Sequence, residues 1–273
     1  MSHSSLQPSI RILCVGDVVG RPGREILKKY LLTEKKEQNI DVVIANVENA
    51  AGGAGITDTI AEELFEAGVD VMTSGNHAWD KKKEGEAAFK KYFYLIRPAN
   101  YPDFPEEPTP GKGSVVYKKG DFKIGVINVQ GRLFLESIDC PFRAADKLVE
   151  ELSKETNIII VDMHAETTSE KQALAWYLDG RVSLVFGTHT HVQTADERIL
   201  TKGTGYISDL GMTGPYDSVI GVIKERAIKR FLIKRKVSYD TAENDAKMCG
   251  IIVEIDNTTG HTQSIQRIQW QKN

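Results

Sequence analysis

The sequence predicts an α/β protein, and three observations support this prediction. Short runs rich in β-branched residues alternate along the chain with longer, charged stretches of helical periodicity. Most of these runs are continuously apolar, which is typical of strands buried on both faces of a sheet. Polar side chains follow directly after several of the runs, as expected at the carboxyl edge of parallel strands. Together these features indicate a largely parallel sheet flanked by helices.

The predicted strands are short apolar runs, and the predicted helices are the charged stretches between them. The strands are Ile10–Gly16, Val42–Val47, Val69–Ser74, Lys123–Val129, Ile158–Met163, Val182–Gly187 and Gly205–Ser208. The helices are Arg24–Glu37, Thr59–Ala67, Lys81–Tyr92, Arg143–Lys154 and Glu170–Asp179. Capping boxes are predicted at Thr59 with Glu62 and at Ser169 with Gln172. Gly68 is placed to end the helix that precedes it.

Two regions depart from this alternation. Residues 98–113 hold five of the nine prolines, which predicts a long surface loop at a rim or lid. From Cys249 the chain alternates in polarity, turns at residues 257–260 and alternates again, which predicts a C-terminal hairpin. No linker or internal repeat requires a domain boundary. We therefore expect one domain over residues 1–273, with residues 1–9 as a disordered N-terminal segment.

Composition excludes several classes of protein. The chain has 273 residues, of which 41% are hydrophobic and 27% charged, and this excludes wholesale disorder, a collagen-like fibre and a membrane protein. A formal net charge of −3 speaks against broad electrostatic binding of nucleic acid.

Cysteine usage and the N-terminal sequence predict a cytoplasmic protein. The three cysteines are far apart and form no C-x-x-C pair, which argues against a disulfide framework and a thiolate zinc site. The polar N-terminus lacks the basic region of a secretory signal.

Polar side chains with metal-binding chemistry follow five of the predicted strands. Because parallel strands end at one edge of a sheet, these side chains are expected to converge in the crevice there. Four of the six histidines belong to this set. Its members are Asp17, Glu48, Asn49, Asn76, His77, His164, His189 and His191.

Carboxylate oxygen, amide oxygen and neutral imidazole are together the ligand set of zinc, manganese or iron. One Asp, one Glu, two Asn and three His exceed the positions around a single ion. Two ions that share a bridging carboxylate would use them all. Such a pair, roughly 3.5–4 Å apart, is the standard apparatus for in-line displacement at phosphorus.

Each of these residues has a simpler explanation when taken alone. Asp17 could cap the helix that Pro22 opens. Residues 75–77 (Gly-Asn-His) could form a turn. His189 and His191 face one side of a strand by geometry. These explanations account poorly for the whole set in this order, and we therefore predict a metal site.

In this order the residues resemble the calcineurin-like metallophosphoesterase superfamily and, within it, the YmdB family of bacterial cyclic-nucleotide phosphodiesterases. The similarity extends beyond single residues and covers nearly the whole chain. The segments that carry it are GDVVGRPGR, NVENAAGG, SGNHAWD, RPANYP, DMHAETTSEK, GTHTHVQTAD and SDLGMTGP.

The resemblance implies a four-layer α/β/β/α sandwich with a C-terminal hairpin and a ligand set for two ions. One ion would be bound by Asp17, Glu48, Asn49 and His191, and the other by Glu48, Asn76, His164 and His189. The broad superfamily places His where this chain has Val19, and Asn49 is the obvious replacement for the lost imidazole. The resemblance favours iron or manganese over zinc.

The implied function is hydrolysis of small cyclic nucleotides, 2′,3′-cyclic ones above all, by attack of a metal-activated hydroxide. By resemblance His77 is the general acid that protonates the leaving ribose oxygen; the alternative is that it orients a metal ligand. Two other functions are weighed against this one. A phosphomonoesterase or nucleotidase would use the same metal core, and a regulatory or RNA-associated protein would make catalysis secondary.

Two further segments are weaker candidates. Thr167, Thr168 and Ser169 precede a predicted helix, so they could hold phosphate oxygens of the substrate, although capping alone also explains them. Residues Lys224–Lys236 hold seven basic residues and one Glu in a helical pattern. Such a run is usually a solvated face, with an RNA- or protein-binding surface as the alternative. The sequence is compatible with a homo-oligomer and does not indicate the oligomeric state.

Overall fold

The computed structural model describes residues 9–271, which form thirteen strands and six helices. The strands are β1 (Ser9–Val15), β2 (Asp17–Val18), β3 (Val42–Asn46), β4 (Val71–Thr73), β5 (Ser114–Lys119), β6 (Phe122–Gln130), β7 (Ile159–His164), β8 (Leu184–Thr188), β9 (Arg198–Ile199), β10 (Gly205–Ile207), β11 (Met212–Pro215), β12 (Ala246–Asp256) and β13 (Thr262–Gln271). The helices are α1 (Gly20–Glu37), α2 (Asp58–Glu66), α3 (Lys82–Lys91), α4 (Pro141–Leu152), α5 (Thr168–Leu178) and α6 (Lys224–Ile233).

The strands form two mixed sheets rather than one largely parallel sheet. The first has the order β2-β11-β12-β1-β3-β4, with β13 paired to β12, and the second has the order β5-β6-β7-β8-β10-β9. Strands β1, β3 and β4 run parallel, whereas β12 pairs antiparallel with β1. Periodicity indicated a largely parallel sheet, and this was wrong because periodicity locates strands without saying which strands pair. Here a C-terminal strand inserts beside the N-terminal one.

Three apolar clusters fill the spaces between the two sheets and between each sheet and its helices. The first lies between the first sheet and the helices α1, α2 and α3, and includes Leu13, Leu27 and Leu64. The second joins the two sheets face to face, through residues such as Ile44 and Ile160. The third joins the second sheet to α4 and α5. Burial on both faces explains why most of these strands are continuously apolar.

Most of the predicted elements are confirmed, but both capping boxes are wrong. Helix α2 begins at Asp58, one residue earlier than predicted, and its cap is Thr57 rather than Thr59. The Thr57 hydroxyl accepts a hydrogen bond from the Ile60 N–H at 3.4 Å. Helix α5 begins at Thr168, and Thr167 in the cap position makes no side-chain capping bond. Gly68, with φ +104°, follows the end of α2 as predicted.

The C-terminal hairpin is confirmed as β12 and β13, which pair antiparallel. The sequence prediction missed β2, β5, β9 and β11, and three of these are four residues or shorter. Ser9, placed in a disordered segment by the sequence, begins β1, and residues 1–8 of that segment lie outside the described residues. Within residues 9–271 no helix is long and apolar enough to cross a bilayer.

Candidate metal centre

The polar residues predicted at strand ends lie together where the two sheets meet. From the first sheet, Asp17 follows β1, Glu48 follows β3 and Asn76 follows β4. From the second, His164 ends β7, and His189 follows β8. Glu48 Oε1 lies 3.2 Å from His164 Nε2, so the carboxyl ends of both sheets converge on one point.

Glu48, His164 and His189 form the tightest part of this cluster. One ligand atom from each lies within 4.8 Å of the other two, so the three could hold a cation. The Asn76 amide oxygen lies 2.9 Å from His164 Nε2 and adds a fourth donor. Gly75 is required beside them, because a Cβ there would lie 2.3 Å from both Glu48 Oε2 and His164 Nε2.

Hydrogen bonds behind the cluster fix the tautomer of His164. The Thr188 hydroxyl donates to Asp162 Oδ1 at 2.7 Å, so it accepts the Nδ1 proton of His164, 2.9 Å away. This leaves the Nε2 lone pair directed at the cluster, as a metal ligand requires. The sequence prediction missed Asp162 and Thr188, although Asp162 stands two positions before His164 on a buried strand, where a carboxylate needs a partner.

His189 is anchored through Nε2, whereas His164 is anchored through Nδ1. Its Nε2 lies 3.1 Å from Glu166 Oε2 and donates to that carboxylate, so its Nδ1 lone pair faces His164. Glu166 was not among the predicted site residues; its position two residues after His164 was the available signal. Burial, and then the charge of His164, lower the pKa of His189 to about 3. The ring is therefore neutral near pH 7 and able to bind a metal.

A second group of donors contains Asp17, Asn49 and His191. His191 Nδ1 donates to the carbonyl oxygen of Ile220 at 2.8 Å, which directs Nε2 inwards. That Nε2 lies 3.2 Å from Asn49 Oδ1 and 3.9 Å from Asp17 Oδ1. Asp17 Oδ1 is buried without a hydrogen-bond partner. A buried carboxylate oxygen with no donor fits a bound cation.

The pKa values of the two buried carboxyl groups, Asp17 and Glu48, are shifted in opposite directions. Burial raises the pKa of Asp17 to about 7, although the charges of His191 and His164 oppose the rise. Burial would also raise the pKa of Glu48, but His164 and then His77 and His189 lower it to about 2. The difference follows from position, because Glu48 is surrounded by imidazoles and Asp17 Oδ1 has no donor.

Val19 occupies the place where the broad superfamily has histidine, and it cannot bind a metal. The side chain is 3% exposed, and its Cγ1 would lie 2.8 Å from a Cβ on Gly221. The valine therefore packs beneath the turn that holds His191. Asn49 supplies the donor nearest to His191 instead.

A buried ion pair supports the segment from His189 to His191, and the sequence prediction missed it. The Lys171 ammonium donates to Asp209 Oδ2 at 2.7 Å, and the two side chains are 0% and 1% exposed. The same oxygen accepts the Thr190 N–H at 3.1 Å and the Thr190 hydroxyl at 2.8 Å. Its Oδ1 accepts the N–H of Gly211, whose carbonyl accepts the Asp17 N–H. One carboxylate thus orders the backbone behind two groups of donors.

His77 lies beside the cluster without joining its closest donors. Its backbone N–H donates to Glu48 Oε2 at 3.1 Å, and its Nδ1 lies 2.8 Å from Asp80 Oδ2. The side chain is 36% exposed. A partly exposed imidazole with one nitrogen on a carboxylate has its second nitrogen free to give a proton to a substrate, whereas a ligand imidazole uses that nitrogen on the metal.

The weaker candidates lie in different surroundings. Thr167 has a buried hydroxyl oxygen without a hydrogen-bond partner, directly after Glu166, whereas Thr168 and Ser169 are exposed. The basic run at residues 224–236 contains all of α6 and the three residues after it, and within α6 only Ala227 is buried. Its role as a partner surface stays a prediction.

Comparison with known proteins identifies the family of the chain. The family model described as YmdB-like protein matches residues 13–268. The chain belongs to the YmdB-like protein family. It is 48% identical over 259 residues to the 2′,3′-cyclic-nucleotide 2′-phosphodiesterase of Bacillus subtilis, covering 95% of this chain and 96% of that protein. The family expected from the motifs is thereby confirmed, and the chain is an enzyme of the phosphodiesterase class.

Two solved structures show the same fold. A crystal structure described as a novel phosphatase from Mycoplasma pneumoniae has a TM-score of 0.91 and 35% identity, covering 98% of this chain and 95% of that one. The calcineurin-like phosphoesterase YfkN of Bacillus subtilis has a TM-score of 0.60 at 10% identity, covering 97% and 91%. The second likeness concerns the fold alone. The chain is thus an α/β protein with two mixed sheets and the architecture of calcineurin-like phosphoesterases.

Proposed function

We propose that this YmdB-like protein hydrolyses 2′,3′-cyclic nucleotides at two metal ions held at the sheet edge. The observation that carries the proposal is the arrangement of three imidazoles, each anchored through one ring nitrogen and directing the other into the cluster of donors. That arrangement sits in a chain 48% identical to a 2′,3′-cyclic-nucleotide 2′-phosphodiesterase.

We assign the donors to the two sets that the resemblance implies. Glu48, Asn76, His164 and His189 would hold one ion, and Asp17, Asn49 and His191, with Glu48 as the bridge, would hold the other. Two observations support this division. Asp17 Oδ1 has no hydrogen-bond partner, and the lone pairs of His164 Nε2 and His189 Nδ1 face each other. Oxygen and imidazole donors suit iron and manganese, as the resemblance favours, and zinc as well.

When bound, two such ions supply Lewis-acid stabilisation of the phosphoryl charge and lower the pKa of water. The protein residues do the rest. Asp80 accepts the Nδ1 proton of His77 and orients the ring, so Nε2 can give a proton to the departing 2′ oxygen. A ribose alkoxide is a poor leaving group, and the proton makes its departure easier. The product is a nucleoside 3′-phosphate.

We place this site in one domain over residues 1–273 with the four-layer α/β/β/α order of the metallophosphoesterases. The three apolar clusters between helices and sheets support that order. We also propose a cytoplasmic location, which the free thiols of Cys14, Cys140 and Cys249 support.

A substrate panel tests the function. The metal-loaded protein is assayed with 2′,3′-cyclic AMP, 3′,5′-cyclic AMP and AMP under defined Mn²⁺ and Fe²⁺. We expect the 2′,3′-cyclic substrate to have the highest kcat/KM and to yield the 3′-phosphate. A higher kcat/KM on AMP would make the protein a phosphomonoesterase and contradict the proposal.

A further inference from the structure

The residue that anchors His191 has an unusual backbone. Ile220, whose carbonyl accepts the His191 Nδ1 proton, has φ +48°. Val219 and Val222 exchange backbone hydrogen bonds of 2.9 and 3.0 Å, so Ile220 and Gly221 form a two-residue loop. Positive φ at both loop residues, +48° and +95°, is the type I′ turn, which favours Asn-Gly. A β-branched residue in this conformation is an outlier.

Packing gives no reason for isoleucine at this position. The Ile220 side chain is 52% exposed, so it adds little to the core. The turn would be more favourable with asparagine, and the anchoring carbonyl would be the same with any residue. Local strain that brings no packing gain is characteristic of functional sites.

The exposed side chain lines a cleft that shares His191 with the metal centre. The cleft has a volume of about 560 Å³, in the range of small-molecule sites. Val192, which is 60% exposed, and Met212 extend its apolar wall, while Arg267 and Gln269 add polar groups. His191 therefore directs Nε2 towards Asn49 while its ring borders the cleft.

We infer that this cleft, with Ile220 and Val192 as its apolar wall, binds the base of the nucleotide whose phosphate lies at the metal centre. The inference rests on the proposed function. A base joined to the phosphate through one ribose must lie next to the metal centre, and this cleft adjoins it at His191. Apolar side chains suit the faces of a planar base, and Arg267 and Gln269 can bond its edge. Ile220 is thus a specificity residue.

The decisive variant is Ile220→Asn, because one change both relieves the backbone strain in the turn and removes the apolar side chain from the wall of the cleft. We expect the melting temperature to rise by about 2–4 °C, as relief of local strain in a chain of this size would give. We expect KM for 2′,3′-cyclic AMP to rise roughly 10-fold, the scale of a lost apolar contact. KM for glycerol 1,2-cyclic phosphate, which has no base, should not change, and the metal content should be retained.

Two further variants separate binding from folding. Val192→Ser, on the other side of the wall, should raise KM for the nucleotide without raising the melting temperature. Ile228→Asn, on α6 and 53% exposed, is the matched control and should leave both KM values unchanged. A raised melting temperature in Ile220→Asn with unchanged KM for the nucleotide overturns the inference, and so does an equal rise in KM for both substrates.

Failure of the proposed function can be recognised separately. If the wild-type protein hydrolyses neither cyclic phosphate, the proposed function fails. Equilibrium titration with adenosine 3′-phosphate then tests whether the cleft binds the base. Weaker binding by Ile220→Asn than by the wild type supports the cleft. Wild-type binding no tighter than that of glycerol 3-phosphate overturns it.

Discussion

The Nε2 of His164 lies 3.1 Å from the Nδ1 of His189, and the other nitrogen of each ring is already used as a hydrogen-bond donor. Two lone pairs therefore face each other in a buried site beside the Glu48 carboxylate. Such an arrangement is stable only with a cation between the rings, either a proton or a metal ion. Burial lowers the pKa of His164, but the charge and hydrogen bond of Glu48, together with the charges of Asp17 and Asp162, raise it above its ordinary value.

Asn49 should matter to one ion only. Asn49→Ala removes the oxygen 3.2 Å from His191 Nε2, in a chain where Val19 cannot replace it. We expect one metal affinity to fall by roughly 10–100-fold and the other to stay. Titration of the apoprotein with Mn²⁺ measures both, with Asn157→Ala, at a hairpin contact, as the control. Two unchanged affinities would mean that Asn49 binds no metal.

The buried pair of Lys171 and Asp209 should affect stability and metal binding separately. Asp209→Asn leaves the Lys171 ammonium buried without a carboxylate, which should cost about 3–5 kcal/mol in the free energy of unfolding. The double variant Lys171→Met with Asp209→Asn removes that charge and should recover most of the loss. Metal affinity should stay weakened in both variants, because Thr190 has lost its carboxylate partner.

Chemical denaturation and Mn²⁺ titration of these two variants check this prediction. Full recovery of metal affinity in the double variant would show that the ion pair serves folding alone.

His77 should affect the rate and leave the metals in place. As a general acid worth about 10²–10⁴ in rate, His77→Ala should reduce kcat on 2′,3′-cyclic AMP strongly. On an activated aryl phosphodiester the loss should be small, because a nitrophenolate departs without a proton. Asp80→Asn, which removes the partner of Nδ1, should show the same pattern more weakly. Equal losses on both substrates would show that His77 positions the phosphoryl group instead.

The C-terminal hairpin should be weakened by acid. Hydrogen bonds from the backbone of Thr259, and then from its hydroxyl, lower the pKa of Asp256 below its ordinary value. A carboxyl group with a lowered pKa in the folded state stabilises the protein above its unfolded pKa of about 3.9 and loses this effect as pH falls through the folded value. The melting temperature of Asp256→Asn should therefore be below that of the wild type at pH 7. The difference should shrink towards pH 3, and a difference independent of pH would contradict this assignment.

The sequence predicted the groups that the site brings together better than it predicted the fold around them. Strand-end positions located Asp17, Glu48 and His164 because the carboxyl end of a strand is a local feature of the chain. Glu166 was missed although it stands two residues after His164, whereas Asp209 was missed because its role depends on which loops meet in space. The Asp209 carboxylate bonds residues at positions 171, 190 and 211, and no local pattern indicates such a contact.

The same distinction explains the errors in secondary structure. Thr59 and Ser169 match the capping box in sequence, but tertiary packing begins α2 at Asp58 and α5 at Thr168. Periodicity did not distinguish the two sheets, because β1 and β7 are similarly apolar and largely buried. A second sheet layer was implied by the resemblance alone. The apolar residues of a strand indicate that it is buried, whereas the choice of neighbouring strands depends on the whole chain.

Metal content measures the central claim most directly. We expect the purified wild-type protein to hold close to two transition-metal equivalents per chain by elemental analysis. Glu48→Gln, which removes the bridging charge and keeps the shape, should lose both ions or their magnetic coupling. Glu150→Gln, the same change at an exposed position of α4, should keep two ions. A single equivalent in the wild type that survives Glu48→Gln would contradict a dimetal centre bridged by Glu48.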